Sequence, residues 1–301
     1  MKHFPRFVVA LTLSALTFPL ASITTAGAVT QSPSCIVSLS PTATATLYAI
    51  GAGAQVGAVD QNSTYPAAAA SLATKSKINP LSPSAEGIAT ICAGKTKPSL
   101  VVISYNANSI EQKLTALGVK VVTQLAPSSL SGALAQITQL GSLTGHVAQA
   151  SKLTASMTKA INDDVASIAK HPTKKLTVFY EIGTKPYYSL TSTTFVGSIL
   201  KSLGLVNIAD AVATSADAGY PSLTPEYVLS SNPKMIITAD AQSASDVSAR
   251  SGFKNLSAVK AKTIVALNPN LASEWGPQLP QLVHAITAAV KAALANNTLW
   301  K

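Results

Sequence analysis

Charged residues are scarce in this 301-residue chain. They make up 11% of it, whereas an average globular protein has about 25%. Hydrophobic residues account for 47%, so the composition excludes intrinsic disorder and the length predicts roughly two domains. Arg6 and Arg250 are the only arginines, although the reading of DNA bases depends on arginine forks. Because scattered lysines carry the net charge of +10, we expect a solvated basic surface and no nucleic-acid partner.

Apolar runs long enough to span a membrane are missing as well. The run Phe7–Phe18 holds about 12 residues and Pro19 interrupts it, whereas a spanning helix needs about 20. It follows a short basic region and precedes the small residues Ala26-Gly27-Ala28. This order is typical of a secretory signal peptide, which we assign to residues 1–28. We therefore expect an exported protein, periplasmic or extracellular at the cell envelope, that is soluble once the signal is removed.

Cysteine occurs twice, at Cys35 and Cys92. In an exported chain an even number of cysteines favours a disulfide, and two buried free thiols are the alternative. No histidine lies near either cysteine in the sequence, which argues against a metal site. Ser32-Pro33-Ser34 does not form the small-residue motif that precedes a lipidated cysteine and lies too far from the apolar run. We therefore do not expect a lipid anchor at Cys35.

Known catalytic motifs are also absent from the sequence. It contains neither G-x-S-x-G nor H-E-x-x-H. Gly51, Gly53 and Gly57 follow a predicted helix rather than a strand, which is the wrong context for a dinucleotide-binding loop. The histidines lie outside the predicted cleft loops, at His3, His146, His171 and His284. We therefore predict no enzyme activity, no metal centre and no intrinsic cofactor.

The segments that are present alternate between strands and helices, which predicts an α/β fold with largely parallel sheets. Two Rossmann-like lobes, residues 29–127 and 173–301, would be joined by one long linker helix in residues 128–172. Apolar residues recur there every three or four positions, as in an amphipathic helix. They are Leu153, Met157, Ile161, Val165 and Ile168. The predicted strands cover residues 36–39, 56–59, 100–103, 119–122, 176–180, 234–238 and 263–267. The predicted helices cover residues 44–50, 109–117, 195–203, 225–230 and 278–295, and one more begins near Ser84.

The two predicted lobes resemble each other. A helix containing Glu86 leads to Pro98 and an apolar strand, and a helix containing Glu226 leads to Pro233 and another. Two similar α/β lobes around one helix are typical of a bilobed binder, with a cleft at the carboxyl ends of the strands.

The chain resembles the periplasmic binding proteins of ABC importers for vitamin B12, haem and iron siderophores, which have a helical backbone between their lobes. The resemblance extends over essentially the whole chain beyond residue 28. Its motifs are Ile36-Val-Ser-Leu-Ser-Pro-Thr-Ala-Thr44, Leu47-Tyr-Ala-Ile-Gly-Ala-Gly53, Val59-Asp60, Tyr65-Pro66, Glu86-Gly-Ile, Pro98-Ser-Leu-Val-Val-Ile, Leu114-Thr-Ala-Leu-Gly-Val, Leu140-Gly-Ser-Leu-Thr-Gly145, Phe179-Tyr-Glu181, Thr194-Phe-Val-Gly, Leu203-Gly-Leu-Val-Asn-Ile, Tyr220-Pro-Ser-Leu, Glu226-Tyr-Val-Leu and Asn232-Pro233.

The sequence departs from this family between Glu86 and Pro98, which are 12 positions apart where about 7 are common. The extra residues include Cys92, so a disulfide to Cys35 could hold the insertion in place.

The resemblance implies a solute receptor that captures a cobalamin-type or iron-chelate ligand between its lobes and delivers it to an ABC importer permease. We expect a monomer. One acid in each lobe, Glu86 and Glu226, would dock the permease. Possible bound ligands are a corrinoid, a ferric chelate or haem.

The candidate ligand-binding residues lie in the loops of the predicted cleft. They are Tyr65, Tyr105, Tyr187, Tyr188, Tyr220, Asp240 and Trp275, with Asp60, Asn106 and Glu274 nearby. Aromatic faces suit a flat macrocycle, and Lys185 is the one cation near these loops, which favours a corrinoid or a weakly charged chelate over an anionic siderophore. Haem, with a tyrosine as its axial ligand, is an alternative. An envelope enzyme or a surface interaction module with the same fold also stays open, since fold does not fix function.

Overall fold

The structure is a computed structural model that describes residues 34–92, 97–169 and 176–300. These residues belong to one compact unit, Ser32–Lys301. The proposed signal peptide and the last residues of the expected linker segment lie outside the described ranges.

Two four-stranded parallel sheets form the centres of the lobes. The sheet of the N-terminal lobe, called the N-lobe, has the strand order β2-β1-β3-β4. The sheet of the C-terminal lobe, called the C-lobe, has the strand order β11-β10-β5-β8. Three short antiparallel strands, in the order β6-β7-β9, extend the C-lobe. The strands are β1 Ile36–Leu39, β2 Val56–Val59, β3 Leu100–Ile103, β4 Val121–Thr123, β5 Leu176–Glu181, β6 Gly183–Thr184, β7 Tyr187–Tyr188, β8 Leu205–Asn207, β9 Ser222–Leu223, β10 Met235–Thr238 and β11 Ile264–Ala266.

Helices accompany both sheets. They are α1 Pro41–Ala49, α2 Ala67–Ser76, α3 Ala85–Ala89, α4 Ile110–Ala116, α5 Leu130–Thr144, α6 Val147–Ala169, α7 Phe195–Ser202, α8 Pro225–Ser231, α9 Ala244–Ser248, α10 Ser257–Lys260, α11 Pro269–Ser273 and α12 Leu279–Ala295. Several begin as their sequences predict, because a hydroxyl caps the first free amides. The Ser40 side chain, for example, accepts a hydrogen bond from the Ala43 amide.

The two lobes share one topology. Counted within each lobe and without the short antiparallel strands, both sheets have the order second-first-third-fourth. The central strands β1, β3 and β10 are completely buried, as expected for parallel strands that are covered on both faces. The expected α/β fold with two parallel sheets is confirmed.

The described part of the expected linker, residues 128–169, holds two helices, whereas the sequence pattern indicated one helix in residues 128–172. Gly145 ends α5 with a φ of 79°, a left-handed conformation that suits glycine. The helix between the lobes is therefore α6 alone, with 23 residues. It packs against α5 and α12, and its buried side includes Met157, Ile161 and Ile168.

Cys35 and Cys92 form a disulfide, with their Cα atoms 6.3 Å apart, so the expected pairing is confirmed. It links the residue before β1 to a residue just after α3. Since both sulfurs are bonded, neither is available as a free thiol for lipid attachment.

Candidate ligand-binding cleft

A cavity of about 270 Å³ lies beyond strands β5 and β10 of the C-lobe. In open parallel sheets, ligands bind at the carboxyl ends of the strands. The cavity is near the lower end of the usual range for small-molecule sites, so it fits one part of a large ligand. Its walls are mostly apolar and aromatic. They comprise Ala126, Tyr180, Ile182, Leu190, Thr194, Phe195, Val196, Tyr220, Ala239, Pro269, Ala272, Ser273, Glu274 and Trp275.

Tyr180 supplies a buried hydroxyl to the wall of this cavity. Successive strand side chains point to opposite faces. Phe179 packs edge-on against Tyr187, whereas Tyr180 lines the cavity. Tyr180 is 1% exposed, and its hydroxyl has no hydrogen-bond partner among the described residues. Burial raises the pKa of Tyr180, so the phenol is neutral. An unpaired buried hydroxyl costs about 1–3 kcal/mol, so a ligand group that pairs with it would be stabilised.

Glu274 supplies an acid to the same wall. It directly follows α11 in extended conformation, and its buried Oε2 has no hydrogen-bond partner within the described ranges. Burial raises the pKa of Glu274 to about 7, and the negative charge of Asp60 adds to the rise. At neutral pH the carboxyl is therefore close to half protonated.

Trp275 and Gly276 bring this part of the C-lobe against the N-lobe and the α5 helix. The indole N–H of Trp275 donates to Oε1 of Gln136 at 2.7 Å, and Gln136 lies on α5. A Cβ on Gly276 would lie 3.2 Å from both the carbonyl oxygen and Cγ2 of Thr42 on α1, so the close approach favours glycine. The segment Glu274–Gly276 thus both lines the cavity and bridges the two halves of the molecule.

Asp60 is a buried acid on the N-lobe side of the cleft. Its carboxylate accepts hydrogen bonds from the Asn62 amide at 2.7 Å and from the Ser63 hydroxyl at 3.1 Å. Ser63 and Thr44 form a hydroxyl hydrogen bond of 2.9 Å, and Thr44 donates to Ser38. Burial raises the pKa of Asp60, and its hydrogen bonds offset part of the rise. Asp60 is therefore partnered, in contrast to Oε2 of Glu274.

Arg250, the one arginine in the part of the chain that the structure describes, is engaged within the C-lobe. Its guanidinium donates to both carboxylate oxygens of Glu181, at 2.5 and 2.7 Å, and lies over the rings of Tyr187 and Phe253. Burial raises the pKa of Glu181, and the pair with Arg250 offsets part of the rise. Because the fork of Arg250 is occupied by an acid, it is not free to bind an anionic ligand.

The aromatic candidates for ligand binding occupy three kinds of position. Tyr220 and Trp275 line the cavity. Tyr65, Tyr105 and Tyr188 are exposed and lie outside it. Tyr187 packs among buried rings.

Asp240, the remaining candidate, directly follows β10. Its Oδ1 is buried and has no partner among the residues that the structure describes. The side chain of Asn106 is engaged within the N-lobe, since its Oδ1 accepts from the Glu111 amide at the start of α4.

Tyr180 and Gln136 were not identified from the sequence. Tyr180 resembles any other core residue of an apolar strand. Its one signal is its place at the carboxyl end of β5. Nothing in the sequence around Gln136 indicates its role, because that role comes from a hydrogen bond with Trp275, 139 positions away in the chain.

Glu86 and Glu226 occupy equivalent places in the two lobes. Each is exposed in the first turn of a short helix, α3 or α8, whose N-cap is Ser84 or Thr224. Ser84 also donates a hydrogen bond of 3.3 Å to Glu86. Among the described residues neither carboxylate forms an ion pair.

Neither a membrane-spanning helix nor a cluster of metal ligands is found in the described ranges. No helix in residues 34–92, 97–169 or 176–300 combines the length and apolarity of a membrane span. In the same ranges no three side chains of His, Cys, Asp or Glu form a group suited to a metal ion.

Known proteins are similar to this chain over most of its length. A family model described as periplasmic binding protein matches residues 36–271. An uncharacterized ABC transporter substrate-binding lipoprotein, YvrC of Bacillus subtilis, is 29% identical over 270 residues, which cover 86% of this chain and 81% of the relative. A cobalamin-binding protein of Halobacterium salinarum is 26% identical, with 82% of this chain and 66% of the relative covered.

A solved structure has the same fold. The periplasmic vitamin B12 binding protein BtuF of Vibrio cholerae superposes with a TM-score of 0.73 at 25% identity. The superposition covers 87% of this chain and 98% of BtuF.

Proposed function

Because the chain belongs to the periplasmic binding protein family and is the substrate-binding component of an ABC transporter, we propose that its cleft captures a cobalamin-type ligand and delivers it to the membrane permease. Members of this family bind solutes, so the chain is a binding protein and not an enzyme.

The observation that carries the choice of ligand is the composition of the cavity wall. It consists mostly of apolar and aromatic side chains, with Tyr180, Glu274, Thr194 and Ser273 among its polar groups, and none of the lining residues is a cation. Together with the occupied fork of Arg250, this leaves no strong binding point for an anion. A neutral macrocycle with an apolar body fits such a wall, and the names of two relatives, cobalamin-binding protein and vitamin B12 binding protein, support this choice. A neutral or cationic ferric chelate fits for the same reason and is the second candidate.

Titration of the purified protein tests this proposal. Cyanocobalamin, a ferric hydroxamate chelate and haemin are added separately, and binding is followed by calorimetry and absorbance. We expect saturable binding of one cyanocobalamin per chain and weaker or no binding of haemin. Saturable haemin binding without cyanocobalamin binding would contradict the proposed ligand.

Delivery of the ligand to the permease would depend on two exposed acids, one in each lobe. We propose that Glu86 and Glu226 meet cationic side chains on the permease, because charged pairs far apart on one surface fix orientation as well as supply attraction. Their equivalent positions and lack of ion-pair partners among the described residues support this role. A purely local role, in which each acid stabilises the start of its helix, is the competing interpretation.

Neutral variants separate the two interpretations. Glu86→Gln and Glu226→Gln should leave ligand affinity unchanged while uptake by cells carrying the permease falls, and the double variant should fall further. Asp163→Asn, on the exposed side of α6, is the matched control and should transport normally. Normal uptake by a folded double variant would leave only the capping role.

A further inference from the structure

We propose that Tyr180 and Glu274 together form a subsite that recognises an amide or ammonium group of the ligand and discriminates against a carboxylate. This inference rests on the proposed function, since it assigns a specificity-determining role within the same cleft.

The first argument is the unused hydrogen-bonding capacity of the two side chains. Both line the same cavity. The Tyr180 hydroxyl and the Glu274 Oε2 atom are buried and have no partner among the described residues. Buried polar groups in folded proteins are nearly always paired. Because both side chains line one cavity, a molecule bound there would supply the missing partners.

The second argument is the kind of group that would satisfy both atoms. A neutral phenol donates one hydrogen bond, whereas a carboxylate oxygen accepts. A primary amide has a carbonyl that accepts from the Tyr180 hydroxyl and an NH₂ that donates to Glu274. An ammonium group would donate to Glu274 and to the hydroxyl oxygen of Tyr180. A carboxylate can accept from Tyr180, but it has no proton to donate to Glu274, which is mostly ionised at pH 8, the pH of the test.

The third argument is the charge around the subsite. Asp60 acts on Glu274 as a second negative charge from the N-lobe, and no lysine, arginine or histidine is among the described residues of the wall. Arg250 is held by Glu181. A ligand carboxylate would therefore meet acids without a neutralising cation, which a protein interior strongly disfavours.

The test compares two corrinoids that differ in this group. Cyanocobalamin has primary amides around its macrocycle, and its monocarboxylic acid derivatives replace one amide by a carboxylate. Dissociation constants for both are measured by calorimetry at pH 8 with the wild type, Glu274→Gln, Tyr180→Phe and the control Asp163→Asn. Melting temperatures show which variants are folded.

We expect the wild type to prefer the amide over at least one acid derivative by tenfold or more. Glu274→Gln should reduce this preference at least fivefold, because glutamine accepts from an amide and also donates to a carboxylate. Tyr180→Phe should weaken binding of both corrinoids about fivefold, and Asp163→Asn should change neither value. A role of Glu274 in stability alone would leave the preference ratio unchanged.

The outcomes separate this inference from the proposed function. Equal affinity for the amide and all acid derivatives, or a preference that Glu274→Gln leaves intact, would overturn the subsite while the corrinoid receptor stands. If no corrinoid binds, the variants are titrated with ferrioxamine B, a cationic hydroxamate chelate, and with haemin, a dicarboxylate. Binding of ferrioxamine B that Glu274→Gln weakens would support the subsite without the corrinoid. Binding of either compound that is insensitive to Glu274→Gln would overturn the subsite, and binding of none of these compounds would overturn both.

Discussion

Glu274 makes the folded state sensitive to pH near neutrality. Its pKa is raised from an ordinary value of 4.5 to about 7, so between these values the folded protein binds more protons than the unfolded chain. Stability that is present below pH 4.5 is therefore lost as the pH rises through 7. One pKa unit corresponds to about 1.4 kcal/mol, which sets an upper limit of about 3 kcal/mol, and partial solvent contact reduces it.

The first prediction concerns Glu274→Gln. The melting temperature of the variant should fall less than that of the wild type between pH 5 and pH 8. At pH 8 the variant should be more stable than the wild type by about 1–2 kcal/mol. Thermal unfolding of the unliganded protein across this range measures the effect.

Asp60→Asn provides a control for the cause of the shift. Removal of the like charge should lower the pKa of Glu274 and move the pH-dependent decline to lower pH. Parallel stability curves for the wild type and Glu274→Gln would show that Glu274 titrates at its ordinary value.

At the scale of elements, the crossing of α5 and α6 depends on one small residue. A Cβ on Gly141 would collide with the Cβ of Ala150 and lie 3.2 Å from the carbonyl oxygen of His146. We predict that Gly141→Ala lowers the free energy of unfolding by about 1–3 kcal/mol, since the collision outweighs the gain in helix propensity. Urea unfolding measures the loss.

Ser142→Ala is the matched control for this prediction. Ser142 is the exposed neighbour of Gly141 on the same helix, so its replacement should be neutral or slightly stabilising. Equal stability of both variants would mean that the helices separate at little cost.

The disulfide between Cys35 and Cys92 closes a loop with a sequence separation of 57. The chain-entropy model gives a stabilisation of about 4 kcal/mol for this length. We predict that the Cys35→Ser/Cys92→Ser double variant loses about 2–4 kcal/mol in urea unfolding and gains nothing from an oxidant. Equal stability of the oxidised wild type and the double variant would contradict this prediction.

Strands whose apolar residues indicate burial directly were predictable from the sequence. Strands 36–39, 56–59 and 100–103 are confirmed to the residue, because continuous apolar runs between turn residues favour buried parallel strands. In contrast, the sequence pattern predicted no helix where α2 lies, at Ala67–Ser76. Its run of alanines has no marked apolar stripe, and in the fold it buries two of them, Ala69 and Ala73.

The remaining differences have a similar origin. Strands β6, β7 and β9 have two residues each, which is too short for a periodic signal. In the site, Trp275 and Tyr220 were predictable because large aromatics in loops are conspicuous. The cavity role of Tyr180 depends on which side of the sheet each residue of β5 faces and on the segment Glu274–Gly276 that arrives from far along the chain.

At the scale of the whole molecule, several contacts resist a large change in the angle between the lobes. The helix α6 packs on α12, and Asn270 donates to Thr64 across the cleft at 3.4 Å. Bending a packed helix requires its hydrogen bonds and its buried face to break together. We predict that small-angle scattering curves of the protein with and without cyanocobalamin nearly superpose. A marked fall in the radius of gyration on binding would contradict this rigidity.

The bridge formed by Glu274, Trp275 and Gly276 has a consequence for the time that a ligand stays bound. Glu274 and Trp275 are neighbours in the chain and both line the cavity, and Trp275 also hydrogen-bonds to Gln136. Ligand dissociation and loss of this hydrogen bond should therefore occur together. Affinity differences between closely related complexes are mostly differences in dissociation rate. We predict that Gln136→Ala, outside the cavity wall, accelerates cyanocobalamin release several-fold in stopped-flow displacement and leaves the association rate nearly unchanged. An unchanged release rate would mean that the hydrogen bond between Trp275 and Gln136 breaks independently of ligand release. If Gln136→Ala accelerates release as predicted, the residence time of the ligand depends partly on Gln136, a residue outside the cavity wall.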